Sequence, residues 1–356
     1  MIRNYLKIAL RNLRRQKLHA FINIFGLAIG LTATFLIFSY VRHELSYDRF
    51  NRQADHMYRF LVTMSRGDQT GNTYPININK VGPELREQFP QVKNFVRLKP
   101  RGETYIDYQK NRFSSISLLY ADSTFFNMFD YPLEAGNPSE VLSDPRGVVI
   151  SQETAGKIFP NENPIGQMLK VAEEQYRVTG VMENFPANSH LQYDIIVSLQ
   201  SLPLFNKMGS LEYATYIEID GNSDRPALRR QLAGVSNQLI NERFAGSGYH
   251  ANSKLQRLTD IHLRSGQLQH DYGTNGDIRK VYMYMFLALV ILAVAIINYL
   301  NLFTARAENR TKEVGLRKVV GASKPELMKQ FLGESVLTTF LALIVALTLV
   351  ELLIDG

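Results

Sequence analysis

Three long apolar runs dominate the pattern of hydrophobic and polar positions along this chain. Residues 20–41 and 281–305 are 22 and 25 residues without a charged side chain. Each exceeds the roughly 20 residues that a helix needs to cross the hydrocarbon core of a bilayer. A third run, residues 331–354, has an uncharged centre at 335–350 and acidic residues near its ends. The pattern predicts three membrane-spanning helices.

Two of these runs have an alternative interpretation. A cleaved signal peptide would also place an apolar run near the N-terminus, but its apolar segment is only roughly 7–15 residues long. Arg42, His43 and Glu44 also stand where small cleavage-site residues are expected. The third run is compatible with a buried helix of a soluble domain. We interpret the first run as a retained anchor and the third as a span.

The region between the first two spans shows the periodicities of strands and helices. Strand, helix and strand patterns occur at residues 57–64, 76–88 and 92–99, and again at 213–220, 224–239 and 254–263. Asp224 is expected to cap the second of these helices. Two β-α-β units that bracket residues 100–200 predict a large α+β domain with an inserted lobe.

The distribution of charge predicts the orientation of the spans. Residues 1–19 carry six Lys or Arg and no acid, and residues 306–330 carry seven basic and three acidic groups. Residues 42–280 carry 27 of each sign, so the positive excess lies beside the spans. Because positive segments stay in the cytoplasm, we expect a multi-pass membrane protein with a cytoplasmic N-terminus and a large domain outside the cytoplasm. This topology explains the basicity, which is therefore no sign of nucleic acid as a partner.

The N-terminus and the first span each carry a further pattern. Ile2, Leu6 and Leu13 recur at helical spacing among basic residues. This predicts an amphipathic helix over residues 1–19 that lies on anionic membrane lipids, although a plain polybasic topology signal explains the same residues. In the first span, Gly26 and Gly30 form a GxxxG pattern that permits close helix packing.

Candidate chemistry is sparse. The chain has no cysteine, which rules out disulfides, thiolate metal sites and cysteine nucleophiles. HExxH and GxSxG motifs are absent, and the seven histidines show no ligand spacing. Gly156 and Lys157 lack the other residues of a phosphate-binding loop, and the polar segment 184–190 is typical of a turn. We expect no catalytic, cofactor or metal site, and a domain that binds or transmits.

Residues 306–330 lie between the second and third spans and are the most informative segment. Glu313 and Arg317 form an i,i+4 pair in the favourable order, and Gly321 is suited to end their helix. Ser323 and Glu326 form a capping box that begins the next helix. The pattern predicts a short, charged helical hairpin in the cytoplasm, suited to dock on a soluble partner. An ordinary solvated loop has a similar composition.

Several stretches carry a family resemblance. They are RTKEVGLRKVVGAS at 310–323, FLGES at 331–335, LRNLRR at 10–15, IFGLAIG at 24–30, HELSYD at 43–48, FFNMF at 125–129 and VTGVMENFP at 178–186. Together they resemble the FtsX-like ABC transporter permeases of the MacB type, especially Bacteroidetes-type members. The resemblance covers essentially the whole chain, and its cytoplasmic stretch is fairly specific.

The resemblance implies a permease that pairs with a separate or fused MacB-like ATPase, whose ATP cycle moves the outer domain in export or mechanotransmission. It implies a porter-like part at about 57–99 and 213–263, split by the inserted lobe. The hairpin would be the segment that couples to the ATPase. The coupling residues implied are Glu313, Gly315, Arg317, Lys318, Gly321 and Ala322.

The family's permease unit has four spans, and larger members repeat the unit. We therefore expect this chain to be the N-terminal portion of a longer permease, with Gly356 outside the cytoplasm. By the same resemblance, it works as a homodimer or as a pseudo-dimer with a second permease half.

Two other classes of protein remain as alternatives. A membrane-anchored sensor would bind a ligand outside and contact a cytoplasmic effector, but no output module is recognisable in the sequence. A membrane-anchored envelope enzyme would need a catalytic constellation, which the motifs do not supply.

The charge distribution generates a test of topology. A reporter that is active only outside the cytoplasm, fused after residue 200, should be active, and the same reporter fused near Ser323 should be inactive, because positive segments are retained inside. Enzyme activity of the two fusions in intact cells measures this. The reverse pair of activities would contradict the orientation.

Overall fold

The computed structural model of the chain describes residues 17–67, 69, 71–202, 211–319 and 323–354. The chain divides into two compact units. The helical unit contains the chain up to Leu45 and the chain from Arg279 onward, and the α+β unit is Ser46–Ile278.

The helices and strands of the described residues are as follows. The helices are α1 (Lys17–Leu45), α2 (Val81–Gln88), α3 (Phe125–Met128), α4 (Gln152–Ile158), α5 (Pro226–Arg243), α6 (Ile261–Arg264), α7 (Ile278–Val319) and α8 (Lys324–Ile354). The strands are β1 (Met57–Arg66), β2 (Thr73–Tyr74), β3 (Val92–Tyr108), β4 (Asn111–Ala121), β5 (Leu133–Ala135), β6 (Gly147–Ser151), β7 (Met168–Val171), β8 (Glu174–Met182), β9 (Ile195–Ser198), β10 (Ala214–Ile219) and β11 (Tyr249–Arg257).

The helical unit contains the predicted membrane spans. The segments long and apolar enough to cross a bilayer are Ala20–Leu45 in α1, Ile278–Ala305 in α7 and Leu327–Ile354 in α8. A helix suits this environment because it bonds its backbone polar groups internally. The three spans that the sequence predicts are confirmed. The amphipathic helix expected over residues 1–19 lies almost entirely outside the described residues.

Small side chains let the three spans pack closely. A buried cluster in the helical unit is rich in alanine and consists of Leu27, Ala28, Ala295, Ala342 and Ala346. The hydroxyl of Thr32 donates to the carbonyl of Ala28, one turn earlier in α1, at 2.8 Å. Lipid tails are as apolar as the helices, so association between spans depends on close van der Waals contact of this kind.

One sheet runs through the α+β unit in the order β11-β1-β10-β3-β4-β9-β6-β8-β5. Neighbours among its first four strands are antiparallel. The segments β1–α2–β3 and β10–α5–β11 are two β-α-β units, and each is split by a strand of the other. The two predicted β-α-β units are confirmed, and they interleave as a split β-α-β arrangement.

Helices α2 and α5 cover one face of this half of the sheet. Alternate side chains of a strand point to the same face, which places Tyr58, Phe60 and Val62 of β1 together. All three are buried in a cluster with Leu85 of α2 and Leu232 of α5. The buried apolar residues of α5 are therefore the surface that packs on the sheet.

The inserted lobe is continuous with this sheet through the long strand β3. The first part of β3 pairs with β10, and the remainder pairs with β4 and β7. Parallel pairing of β4 with β9 and of β6 with β8 extends the sheet. A separate buried cluster built from these strands gives the lobe its own core.

Several element boundaries differ from the sequence pattern. The helix expected from residue 76 begins at Val81, because Asn77 is held in an extended stretch. Its backbone N–H donates to the carbonyl of Tyr213 at 2.7 Å. Strand β11 starts and ends earlier than the pattern at 254–263 predicts, because it pairs with β1 along its whole length.

The expectation that Asp224 caps α5 is wrong. The residue at the N-cap position is Arg225, and no side chain caps the helix there. Asp224 instead accepts a hydrogen bond from the hydroxyl of Tyr58 in β1 at 2.6 Å. The carboxylate therefore ties the start of α5 to the central sheet rather than to the helix backbone.

Candidate functional site

Helix α7 does not end where its apolar span ends. The span closes at Ala305, and the helix continues without a break to Val319. This extension carries the predicted coupling residues Glu313, Gly315, Arg317 and Lys318. Residues four apart on a helix are neighbours, so the pairing of Glu313 with Arg317 is compatible with this helix and stays a prediction.

The end of the predicted hairpin is partly described. Gly321 and Ala322 lie outside the described residues, so their role in reversing the chain stays a prediction. Helix α8 begins at Lys324, which places Ser323 immediately before it, and the carbonyl of Ser323 accepts from the backbone N–H of Leu327 at 3.3 Å. Glu326 lies in the first turn of α8, and its side-chain bond to the cap stays a prediction.

Two apolar residues of the extension are strongly exposed, although the sequence pattern did not single them out. Leu316 is 73% exposed and Val319 is 88% exposed. They are three residues apart and therefore lie on one side of the helix. Both residues lie beyond the apolar span. A leucine and a valine among charged residues are the sequence feature that could have identified them. Apolar side chains exposed together outside a membrane span are a feature of protein interaction sites.

Gly26 and Gly30 of α1 face α7. A Cβ atom added to Gly30 would lie 2.4 Å from the Cβ of Ala295, and one added to Gly26 would lie 3.3 Å from the amide nitrogen of Asn298. The first distance is shorter than real Cβ contacts allow. The structure thus brings both glycines of the GxxxG pattern to a contact between α1 and α7, and only glycine fits at residue 30.

Two family models match the chain. The model of the MacB-like periplasmic core domain matches residues 20–235, and that of the FtsX-like permease C-terminal matches residues 285–355. The first match covers more than half of the chain. It includes the first span and most of the α+β unit, and the second includes most of α7 and α8.

Two relatives indicate how the chain compares with longer proteins. The macrolide export ATP-binding/permease protein MacB of Bdellovibrio bacteriovorus is 27% identical over 198 residues, or 54% of this chain and 28% of that protein. The macrolide export ATP-binding/permease protein MacB 2 of Aeromonas hydrophila is 20% identical over 349 residues, or 94% of this chain and 50% of that protein. The chain therefore spans half or less of the length of these relatives.

The fold of the α+β unit also has a counterpart among solved structures. A domain of a protein assigned as a permease, from Porphyromonas gingivalis, matches with a TM-score of 0.52 and 22% identity. The match covers 58% of this chain and 91% of that domain. At this identity the likeness concerns the fold alone.

The architecture and the matches first define a class, the membrane permeases of ABC transporters with a large extracytoplasmic domain. This chain belongs to the FtsX-like permeases with a MacB-like periplasmic core domain. The family resemblance and the fold class predicted from the sequence are both confirmed. The α+β unit is the extracytoplasmic domain of the protein.

The contact of Gly30 with Ala295 generates a test of packing in the helical unit. Gly30→Ala should destabilise the unit by about 1–3 kcal/mol, because the new methyl group overpacks the interface between α1 and α7. Unfolding of the purified chain in a denaturing-detergent titration, followed by loss of helix, measures this.

Two further variants control the packing test. Gly333→Ala in α8 adds the same methyl group where no heavy atom lies within 4 Å, so it should be neutral or stabilise by up to about 1 kcal/mol through helix propensity. Ala295→Gly should restore the stability of Gly30→Ala. Equal effects of the two alanine variants would contradict the packing role.

Proposed function

We propose that this chain is the permease subunit of a MacB/FtsX-type exporter or mechanotransmission complex. It couples the ATP cycle of a partner ATPase to movement of the extracytoplasmic domain. The observation that supports this most strongly is the continuity of α7. Its 42 residues make a rod about 63 Å long, whereas the hydrocarbon core is only about 30 Å thick. A displacement at its far end therefore passes into the span without a hinge among the described residues.

A partner ATPase is supported by the relatives and by the sequence. Both relatives carry ATP-binding and permease activities in their names, whereas this sequence has no phosphate-binding loop. We propose that a MacB-like ATPase, separate or fused, supplies ATP hydrolysis. It docks on the extension of α7, where Leu316 and Val319 expose apolar surface and where the sequence contains the charged residues Glu313 and Arg317.

Charge and exposure support the proposed placement in the membrane. Basic segments at residues 1–19 and 306–330 support a cytoplasmic N-terminus and hairpin in the bacterial inner membrane. Most of the apolar surface of α7 is not covered by α1 or α8. We propose that membrane lipids cover part of that surface, and that a second permease unit, from another copy or from a second permease half, covers the rest.

The proposed function predicts how the isolated chain behaves toward ATP. The purified chain alone should hydrolyse no ATP above background, because no loop is available to bind the phosphates. Phosphate release by the chain in lipid nanodiscs measures this. Turnover that persists after contaminating ATPases are removed, and that follows the chain through gel filtration, would contradict the assignment of hydrolysis to a partner.

The docking role of the α7 extension is tested by exchanging two charges. Glu313→Arg combined with Arg317→Glu keeps an opposite-charge i,i+4 pair, so folding should change by no more than about 0.5 kcal/mol. Complementarity to the ATPase is reversed, and co-purification should fall by about tenfold, on the scale of 1–2 kcal/mol for interfacial charges. Pull-down of the cognate ATPase by the full-length permease measures the effect.

The extracytoplasmic domain offers a matched control for this exchange. Glu153 and Lys157 form an exposed i,i+4 pair at 2.7 Å in α4. Glu153→Lys combined with Lys157→Glu should leave ATPase binding unchanged. If the exchange in α7 binds the ATPase as well as this control does, the extension is an ordinary solvated helix end.

A further inference from the structure

Two short segments connect the α+β unit to its flanking membrane helices. Ser46 follows the last residue of α1, and residues 46–48 are called the first connection. Residues 271–276 come shortly before Ile278, the first residue of α7, and are called the second connection. Residues 188–190 and His262 contact both connections, although they are distant from at least one of them in sequence.

The first connection is held by a buried hydrogen bond between a carboxylate and a histidine ring. Asp48 has a left-handed backbone, with φ of +59°, and its carboxylate accepts from the backbone N–H of His190 at 3.2 Å. The Nδ1 atom of His190 lies 2.8 Å from the same carboxylate oxygen, and neither side chain is exposed. The backbone N–H of Asp48 donates to the carbonyl of Asn188 at 2.8 Å. The amide of Asn188 donates to the carbonyl of Ser46 at 3.1 Å.

The second connection lies against the same histidine. The backbone N–H of Thr274 donates to the carbonyl of His190 at 3.2 Å. Gly273 is so close that an added Cβ would lie 3.2 Å from this carbonyl oxygen. The segment 188–190 is therefore bonded to the first connection on one side and to the second connection on the other.

His262 bridges the two connections a second time. Its Nδ1 donates to the carbonyl of Thr274 at 2.7 Å, because a carbonyl only accepts. Its own carbonyl accepts from the backbone N–H of Gly276 at 2.8 Å. Its ring stacks on Tyr47 of the first connection with a centroid separation of 3.3 Å and an interplanar angle of 5°.

These contacts continue into the central strands of the sheet. The Nε2 atom of His190 lies 2.9 Å from the hydroxyl of Tyr216 in β10. Burial raises the pKa of Tyr216, so its hydroxyl keeps its proton and takes part in this bond. Tyr216 lies opposite Arg59 of β1 in the register of the sheet. Arg59 is paired with Asp271 of the second connection at 2.7 Å, with both side chains 2% exposed.

We infer that Asp48, His190 and His262 join the two connections into one junction, which delivers movement of either membrane helix to the central strands β1 and β10. This inference rests on the proposed function. The three side chains act as positioning residues, because each holds one connection against the other. Directional hydrogen bonds between buried groups suit this task, since they fix a geometry that apolar contacts alone would allow to slide.

The first test uses the full chain without its partner, in lipid nanodiscs. Asp48→Gly removes the carboxylate but keeps the left-handed backbone, which glycine adopts freely. Hydrogen exchange at Thr274 and Gly276 should become faster by on the order of tenfold. Their backbone N–H groups donate to the carbonyls of His190 and His262, which Asp48 and Tyr47 position. Exchange that rises only at residues 46–50 and 188–190 would overturn the junction.

Gln109→Gly is the matched control. Gln109 also has a left-handed backbone, with φ of +53°, and it is exposed in the hairpin between β3 and β4. It gains the same backbone freedom without losing a buried carboxylate. Exchange at Thr274 and Gly276 should stay at the wild-type rate in this variant.

Tyr47→Ala keeps the test decisive if Asp48→Gly fails to fold. It removes the ring stacked on His262 and leaves no buried charge without a partner. Exchange at Gly276 should rise by about threefold, because His262 loses one of its supports. An unchanged rate at Gly276 would overturn the bridging role of His262.

A readout in the assembled complex separates positioning from stability. With the cognate ATPase bound, Asp48→Gly should keep ATP turnover within about twofold of the Gln109→Gly control, while the nucleotide-dependent change in exchange of β1 and β10 falls by at least half. A full nucleotide-dependent change in Asp48→Gly would overturn the inference. Absence of any such change in the control would count against the proposed function, and the partner-free experiment would still decide the junction.

Discussion

The extracytoplasmic domain is attached to membrane helices at both of its ends, and this constraint organises the rest of the molecule. The chain enters the domain after Leu45 and leaves it at Ile278. The chain therefore links the membrane helices to the sheet through two short connections. Burying charges such as Asp48 and Arg59 costs free energy unless they are paired and bonded. These charged residues lie where the two connections meet. A need for a fixed geometry at that point explains why they are buried there.

Much of the fold could be predicted from the sequence. Uncharged length identified the three spans, and alternation identified the strands of two β-α-β units. The predictions that were wrong concern features that depend on contacts between residues distant in sequence. The helix expected from residue 76 starts late because Asn77 bonds to Tyr213, and Asp224 leaves the helix cap for Tyr58. Neither partner can be read from local periodicity.

The candidate site was predicted in part, for a similar reason. Charge pattern and family resemblance drew attention to Glu313 and Arg317, but the exposure of Leu316 emerges only when α7 is seen to continue past its span. Residues 184–190 have the composition of a turn. That His190 in this turn meets Asp48, 142 residues away, depends on the topology of the sheet and has no signature in either segment.

The central claim is that a partner's ATP cycle moves the extracytoplasmic domain relative to the membrane helices. Because the chain has no cysteine, Lys110→Cys in the domain and Tyr282→Cys in α7, both exposed, can carry the only two spin labels. Pulsed electron paramagnetic resonance would measure the distance between them in the complex with the ATPase, without nucleotide and with trapped ATP. We expect a distance distribution that shifts with ATP and that no longer shifts when Glu313 and Arg317 are exchanged. An unchanged distribution in a complex that hydrolyses ATP would contradict it.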